Sequence, residues 1–138
     1  MSVTVYHDLL GLTLTHIEGA RMHGDQIIFL ADLEQIALRM WHSQACCESV
    51  YIADITGDIN DLLLSPLTEA ELVGHDSNKD DDSFTSWSLY KFGTRKGSVT
   101  IRWTGSGSPY YSQQVNFEAI DWSTAHQYFS PGESDGRN

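Results

Sequence analysis

Between Phe84 and Phe117 apolar and polar residues alternate in three runs, broken by two turn-forming segments. The runs are Phe84 to Thr94, Ser98 to Trp103 and Tyr110 to Phe117; Arg95-Lys96-Gly97 and the Gly105-to-Pro109 segment separate them. Successive side chains of a strand point to opposite faces, so a period of two demands strands and excludes an amphipathic helix. Val99, Ile101 and Trp103 fall on one face, and Thr100 and Arg102 on the other. Trp87, Leu89 and Lys91 share a face of the neighbouring run. A three-stranded antiparallel meander is the expected core of the fold.

Upstream runs add further strands. Leu12 to Ile17 alternates and is rich in β-branched residues. Gln26 to Ala31 and Gln35 to His42 flank Asp32-Leu33-Glu34, a hairpin turn without the usual Gly; Ile36, Leu38 and Met40 share a face. Val50 to Ala53 is another apolar run, and Thr68 to Val73 leans toward strand. Helix signals are fewer. Asp58 is a good N-cap, Asp61 follows three residues later, and Pro66 stops the helix after about two turns. A second short helix is expected from Phe117 or Glu118 to Tyr128. The expected class is therefore α+β: a mainly antiparallel sheet with one or two short helices on one face. Residues 1–129 are read as one domain and 130–138 as a polar, flexible tail. His75 to Ser83, with four aspartates, is read as a solvated loop.

Charge narrows the function. Lys and Arg total 8, Asp and Glu total 19, and the net charge is −11. Such a chain is repelled by nucleic-acid polymers and anionic membrane surfaces, so neither is an expected partner. The start of the chain lacks a basic, apolar leader. The two cysteines, Cys46 and Cys47, are adjacent, which rules out a disulfide framework. Both observations lead to a cytoplasmic expectation.

Against that acidic background, half of the basic residues lie between 91 and 102: Lys91, Arg95, Lys96 and Arg102. Trp87, Tyr90, Phe92, Trp103, Tyr110 and Tyr111 surround them. Cations beside aromatic rings suit a planar anion, with the cation on phosphate and the ring on a base. The candidate ligand-binding residues are Trp87, Tyr90, Lys91, Arg95, Lys96, Arg102, Trp103 and Tyr111. A hairpin with solvated basic residues around its turn would read the same way.

Other constellations carry less. His42, Cys46, Cys47 and Glu48 lack the paired spacing of a zinc site, although His75 or His126 could add ligands. A nucleophilic cysteine with His42 as base is one reading, and a buried thiol at a strand entry is the other. Asp54, Asp58, Asp61, Glu69 and Glu71 match no calcium loop, and helix capping explains Asp58 and Asp61. No Gly-rich phosphate loop, zinc-protease motif or nucleophile elbow is present, so no cofactor, metal or catalytic residue is assigned.

The stretch from Met40 to Leu64, containing Cys46-Cys47-Glu48-Ser49-Val50-Tyr51-Ile52, resembles a small family from tailed phages and their bacterial hosts. Tyr90 to Trp103 and Tyr110 to Phe117 resemble its later signatures, so the likeness runs from about residue 10 to 121. It departs at Leu64, where the pattern has Gly before Ser65-Pro66, and at an extra Ser near Trp87. The resemblance implies a phage- or prophage-encoded protein acting in the host cytoplasm and carries over no catalytic residue. Small phage proteins of this kind often neutralise a host factor. One class sequesters nucleotide immune signals, such as cyclic ADP-ribose isomers or cyclic oligonucleotides, without turnover. The basic–aromatic cluster agrees with a small anionic nucleotide ligand, and exposed sheet edges with a homo-oligomer. Two alternatives remain: an acidic inhibitor docking on a basic host protein through Asp80-Asp81-Asp82, and a cysteine-dependent enzyme.

Overall fold

Eleven consecutive residue pairs, from Phe84↔Gly107 to Thr94↔Gly97, join two strands without a break in register. This hairpin centres a computed structural model that describes residues 9–42, 49–79, 84–107 and 115–125. Its strands, in chain order, are β1 (His16–Glu18), β2 (Gln26–Ala31), β3 (Ile36–Trp41), β4 (Ser49–Thr56), β5 (Glu69–Lys79), β6 (Phe84–Thr94), β7 (Gly97–Gly107) and β8 (Asn116–Ile120). They form two four-stranded antiparallel sheets, ordered β1-β2-β3-β8 and β4-β7-β6-β5.

The α+β expectation is therefore corrected: the described residues are essentially all-β. Asp58 does cap a turn, its carboxylate accepting from the Asn60 N–H at 3.0 Å. That turn is a single 3-10 turn, Ile59–Leu62, because Leu63 is already extended and Leu64 is left-handed at φ 64°. Of the second expected helix the described residues hold one turn, α1 (Trp122–Ala125), and residues 126–128 lie outside them. Phe117 and Glu118 lie instead in β8, where pairing with β3 seats Phe117 in the core.

Two further expectations change. Of the expected third strand of the meander, residues 110–114 lie outside the described residues; Asn116 and Phe117 belong to β8, which pairs with β3, and β4 takes the place beside β7. His75 to Lys79 is strand rather than loop, paired with Phe84 to Ser88. Hydrogen bonding to β6 outweighs the low strand propensity of this polar stretch. The extra Ser near Trp87 does not disturb the β6–β7 register. The shift in that region lies in β5, at Val73.

The inward faces of the sheets meet in one core. Ile27, Phe29, Leu38, Met40 and Phe117 come from one sheet, and Val50, Ile52, Phe92, Val99, Ile101 and Trp103 from the other. Phe29 touches both Phe92 and Phe117, at 5.5 and 6.3 Å between ring centres. Each such large side chain contributes roughly 1.5–3 kcal/mol when fully buried. On the outer face of the first sheet, α1 helps cover Ile28, Leu30 and Ala37. Asp121 holds that turn through Ser123 and Thr124, and these hydrogen bonds keep its carboxyl below the ordinary Asp value. The free side of β4 is covered by the β1–β2 loop: His23 N–H donates to the Ile52 carbonyl and Ile52 N–H to that of Gly24, each at 2.8 Å.

Leu64 occupies the position where the resemblance raises the expectation of Gly. It is 71% exposed and left-handed, a conformation that crowds a side chain against the following carbonyl. Leu64→Gly should stabilise the chain by about 0.5–1 kcal/mol, the relieved strain exceeding the added chain entropy of glycine. Urea unfolding measures this, and a loss of stability would contradict the strain.

Candidate functional site

The register decides which side chains share a surface. Tyr90, Phe92, Val99, Ile101 and Trp103 face the core and are buried. Trp87, Leu89 and Lys91 face outward beside Thr104, Arg102 and Thr100. Arg102 stands directly opposite Leu89 and diagonal to both Trp87 and Lys91, within reach of long side chains at about 7–8 Å between diagonal positions. Its guanidinium carbon lies 5.3 Å from the Trp87 ring centre, a cation–π contact.

Neighbouring strands complete this face. On β4, Tyr51 stands opposite Thr104 and Asp54 opposite Arg102; on β5, Asp76 stands opposite Trp87 and Glu71 opposite Lys91. The Trp87 ring lies against position 74, which is glycine. A Cβ there would come within 3.1 Å of the Trp87 ring. Beside Trp87 a hollow of about 230 Å³ is lined by Asp76, Asn78, Thr85 and Thr104 among others.

The charges are not equivalent. Lys91 Nζ sits 3.6 Å from a Glu69 carboxylate oxygen. Such a partly exposed pair is worth about 0–1 kcal/mol. Arg102 is exposed and makes no ion pair among the described residues. It is the cation of this face most available to an external anion.

The other sequence candidates lie elsewhere. Arg95 and Lys96 are at the β6–β7 turn, about 20 Å along the strand from Arg102 at ~3.4 Å per residue. Lys96 Nζ donates to the Leu63 carbonyl at 2.5 Å, closing the 3-10 turn. Tyr90 and Trp103 are 2% and 1% exposed, so neither ring can stack on an outer-face ligand. Tyr111, Tyr110, Cys46, Cys47, Glu48, His126 and Asp80 to Asp82 lie outside the described residues. His42 is buried and His75 is exposed on β5. Among the described residues no three His, Cys, Asp or Glu side chains gather as a metal site.

Tyr51 and Asp54 join the face without having been singled out from sequence. Alternation in Val50-Tyr51-Ile52 already sets Tyr51 against its apolar neighbours, but only the pairing of β4 with β7 brings it beside Arg102.

A family model described as a domain of unknown function, DUF7448, matches residues 7–117. The chain belongs to this family. The match contains all of β1 to β7 and therefore the whole outer face just described. No curated protein and no solved structure matches the chain. No helix among the described residues is long and apolar enough to cross a membrane.

The two tryptophans of the hairpin should respond differently to truncation. Trp103→Ala should cost about 3–5 kcal/mol, because it opens a cavity in the core. Trp87→Ala should cost about 1 kcal/mol, the ordinary loss for a half-buried side chain outside the core. Denaturant unfolding of both variants measures the contrast, and equal losses would contradict the assignment of faces.

Proposed function

We propose that this chain binds and sequesters a nucleotide-derived signal on the outer face of the β4-β7-β6-β5 sheet, without turnover. The observation that carries the reading is Arg102. It is an exposed cation, packed against the Trp87 ring and spared an ion pair among the described residues. Guanidinium offers paired donors to phosphate, and the indole offers a stacking surface for a base. Thr100 and Thr104 flank Arg102 on the same strand, and Lys91 adds a second positive charge nearby.

The carboxylates of Asp54, Glu71 and Asp76 on the same face, with the net charge of −11, oppose a polyanion. A compact ligand reaches Arg102 while leaving these groups solvated, so the partner is a small anionic nucleotide rather than a nucleic-acid polymer. Cyclic ADP-ribose isomers and cyclic oligonucleotides are the candidate signals. The proposed setting is a phage-type anti-defence protein in the host cytoplasm, removing an immune signal by stoichiometric capture. A homo-oligomer is part of this reading, because β5 is an eleven-residue edge strand with Leu72 and Val73 exposed.

Thermal denaturation with a nucleotide panel tests the proposal. A ligand at about 100-fold excess over its Kd should add about 2.7 kcal/mol of stability. The bound compound should be released chemically intact, and Arg102→Glu should remove the shift while the variant still melts cooperatively. Absence of any shift, an altered product, or an unchanged shift in Arg102→Glu would overturn it.

A further inference from the structure

Row by row, the outer face carries two aromatic platforms. Trp87 is one. Tyr51 is the other, two strands away across Thr104. Paired residues on adjacent strands stand about 5 Å apart, so the two rings arise about 10 Å from each other. Arg102 is set between them and one two-residue step, about 7 Å, along β7.

Each platform borders its own hollow. The Trp87 side has the hollow of about 230 Å³ with Asp76 and Asn78 on its wall. The Tyr51 side has a larger one, about 390 Å³, lined by His23, Asp25, Ser49 and Tyr51. That volume lies in the range of small-molecule sites. His23 leans over Tyr51, with ring centres 5.8 Å apart and planes tilted by 31°. The backbone of His23 is left-handed at φ 68°, and its N–H is tied to β4. Strain of this kind, held in place by hydrogen bonds, is a recurrent mark of binding sites. Each hollow therefore offers one ring face and carboxylate or amide oxygens that can accept from the exocyclic amine of a base.

We propose that the site takes a dinucleotide: two nucleobases joined through phosphate, one at Trp87 and one at Tyr51 and His23, with the phosphate bridge on Arg102. This rests on the reading of the Arg102–Trp87 face given above and specifies its ligand class. A mononucleotide would fill one hollow and leave the other to water. Linking two contacts makes the second one intramolecular, which raises affinity steeply when the linker matches the span.

Calorimetric titration of the full chain with adenine and guanine mononucleotides and with their linear and cyclic dinucleotides tests this. At least one dinucleotide should bind about a hundred-fold tighter than its mononucleotide. His23→Gly removes one ring and relieves the left-handed backbone, so it should fold at least as well as the parent. Tyr51→Leu removes the second platform while keeping apolar bulk. Both variants should bring dinucleotide affinity down to about the mononucleotide level, whereas Arg102→Ala should weaken the binding of both ligand classes. Equal affinities for the two ligand classes, or a dinucleotide preference that survives both His23→Gly and Tyr51→Leu, would overturn the dinucleotide assignment alone. No binding of either class would likewise overturn the dinucleotide assignment, and binding indifferent to Arg102→Ala would overturn the underlying reading with it.

Discussion

The unbroken pairing of β6 with β7 is the constraint on which the remaining structure rests. Because the side-chain period of a strand is two, a slip of one residue would exchange the faces of the whole hairpin. Tyr90, Phe92, Val99, Ile101 and Trp103 would then meet water, and Lys91 and Arg102 would meet Phe29 and Phe117. The burial of five large apolar side chains fixes the register far more firmly than any contact on the outer face can. The outer face follows from this. Its residues are placed by the packing of their neighbours, leaving them free to be polar, charged and exposed.

The same constraint explains why an acidic chain can present a basic, aromatic spot. Arg102 cannot turn inward, and its partner positions on either side are Leu89 and Asp54. Glu69 pairs with Lys91, which stays beside Arg102, while Lys96 is drawn to the Leu63 carbonyl at the far turn, so the cations clustered in sequence are not equivalent in space. What remains is a single guanidinium against an indole, with aromatic and hydroxyl neighbours and a rim of carboxylates. Such a surface discriminates by size: a compact anion can reach Arg102, whereas a long polyanion must pass the rim.

Strands with strong alternation were legible in the sequence. The shared faces within Phe84 to Thr94 and within Ser98 to Trp103 follow from residue identity alone, but that Trp87, Lys91 and Arg102 stand on one side of the sheet follows only from the register. Strand partners were not legible, because pairing depends on contacts far apart in the chain. Nothing in residues 110–117 shows that β8 belongs beside β3, and nothing in Val50 to Ala53 shows that β4 lies beside β7. That gap hid Tyr51 and left Tyr90 and Trp103 looking like ligand rings, when alternation and size already suited them to the core. The helices were overestimated because an N-cap signals where a helix starts, and Asp58 starts one that lasts a single turn. Asp80 to Asp82 drew His75 to Lys79 into a loop reading, although backbone pairing with β6 carries those residues as strand.

The account stands on the division of the β6–β7 hairpin into a core face and a ligand face. Two-dimensional NMR of the isotope-labelled chain, titrated with the nucleotide that gives the largest thermal shift, tests that division residue by residue. The Trp87 indole N–H and the backbone amides of Arg102 and Thr104 should move with saturation. The Trp103 indole N–H, buried without a hydrogen-bond partner among the described residues, should stay in place. Shifts confined to the β1-β2-β3-β8 sheet, or a Trp103 signal that moves while Trp87 does not, would contradict the account.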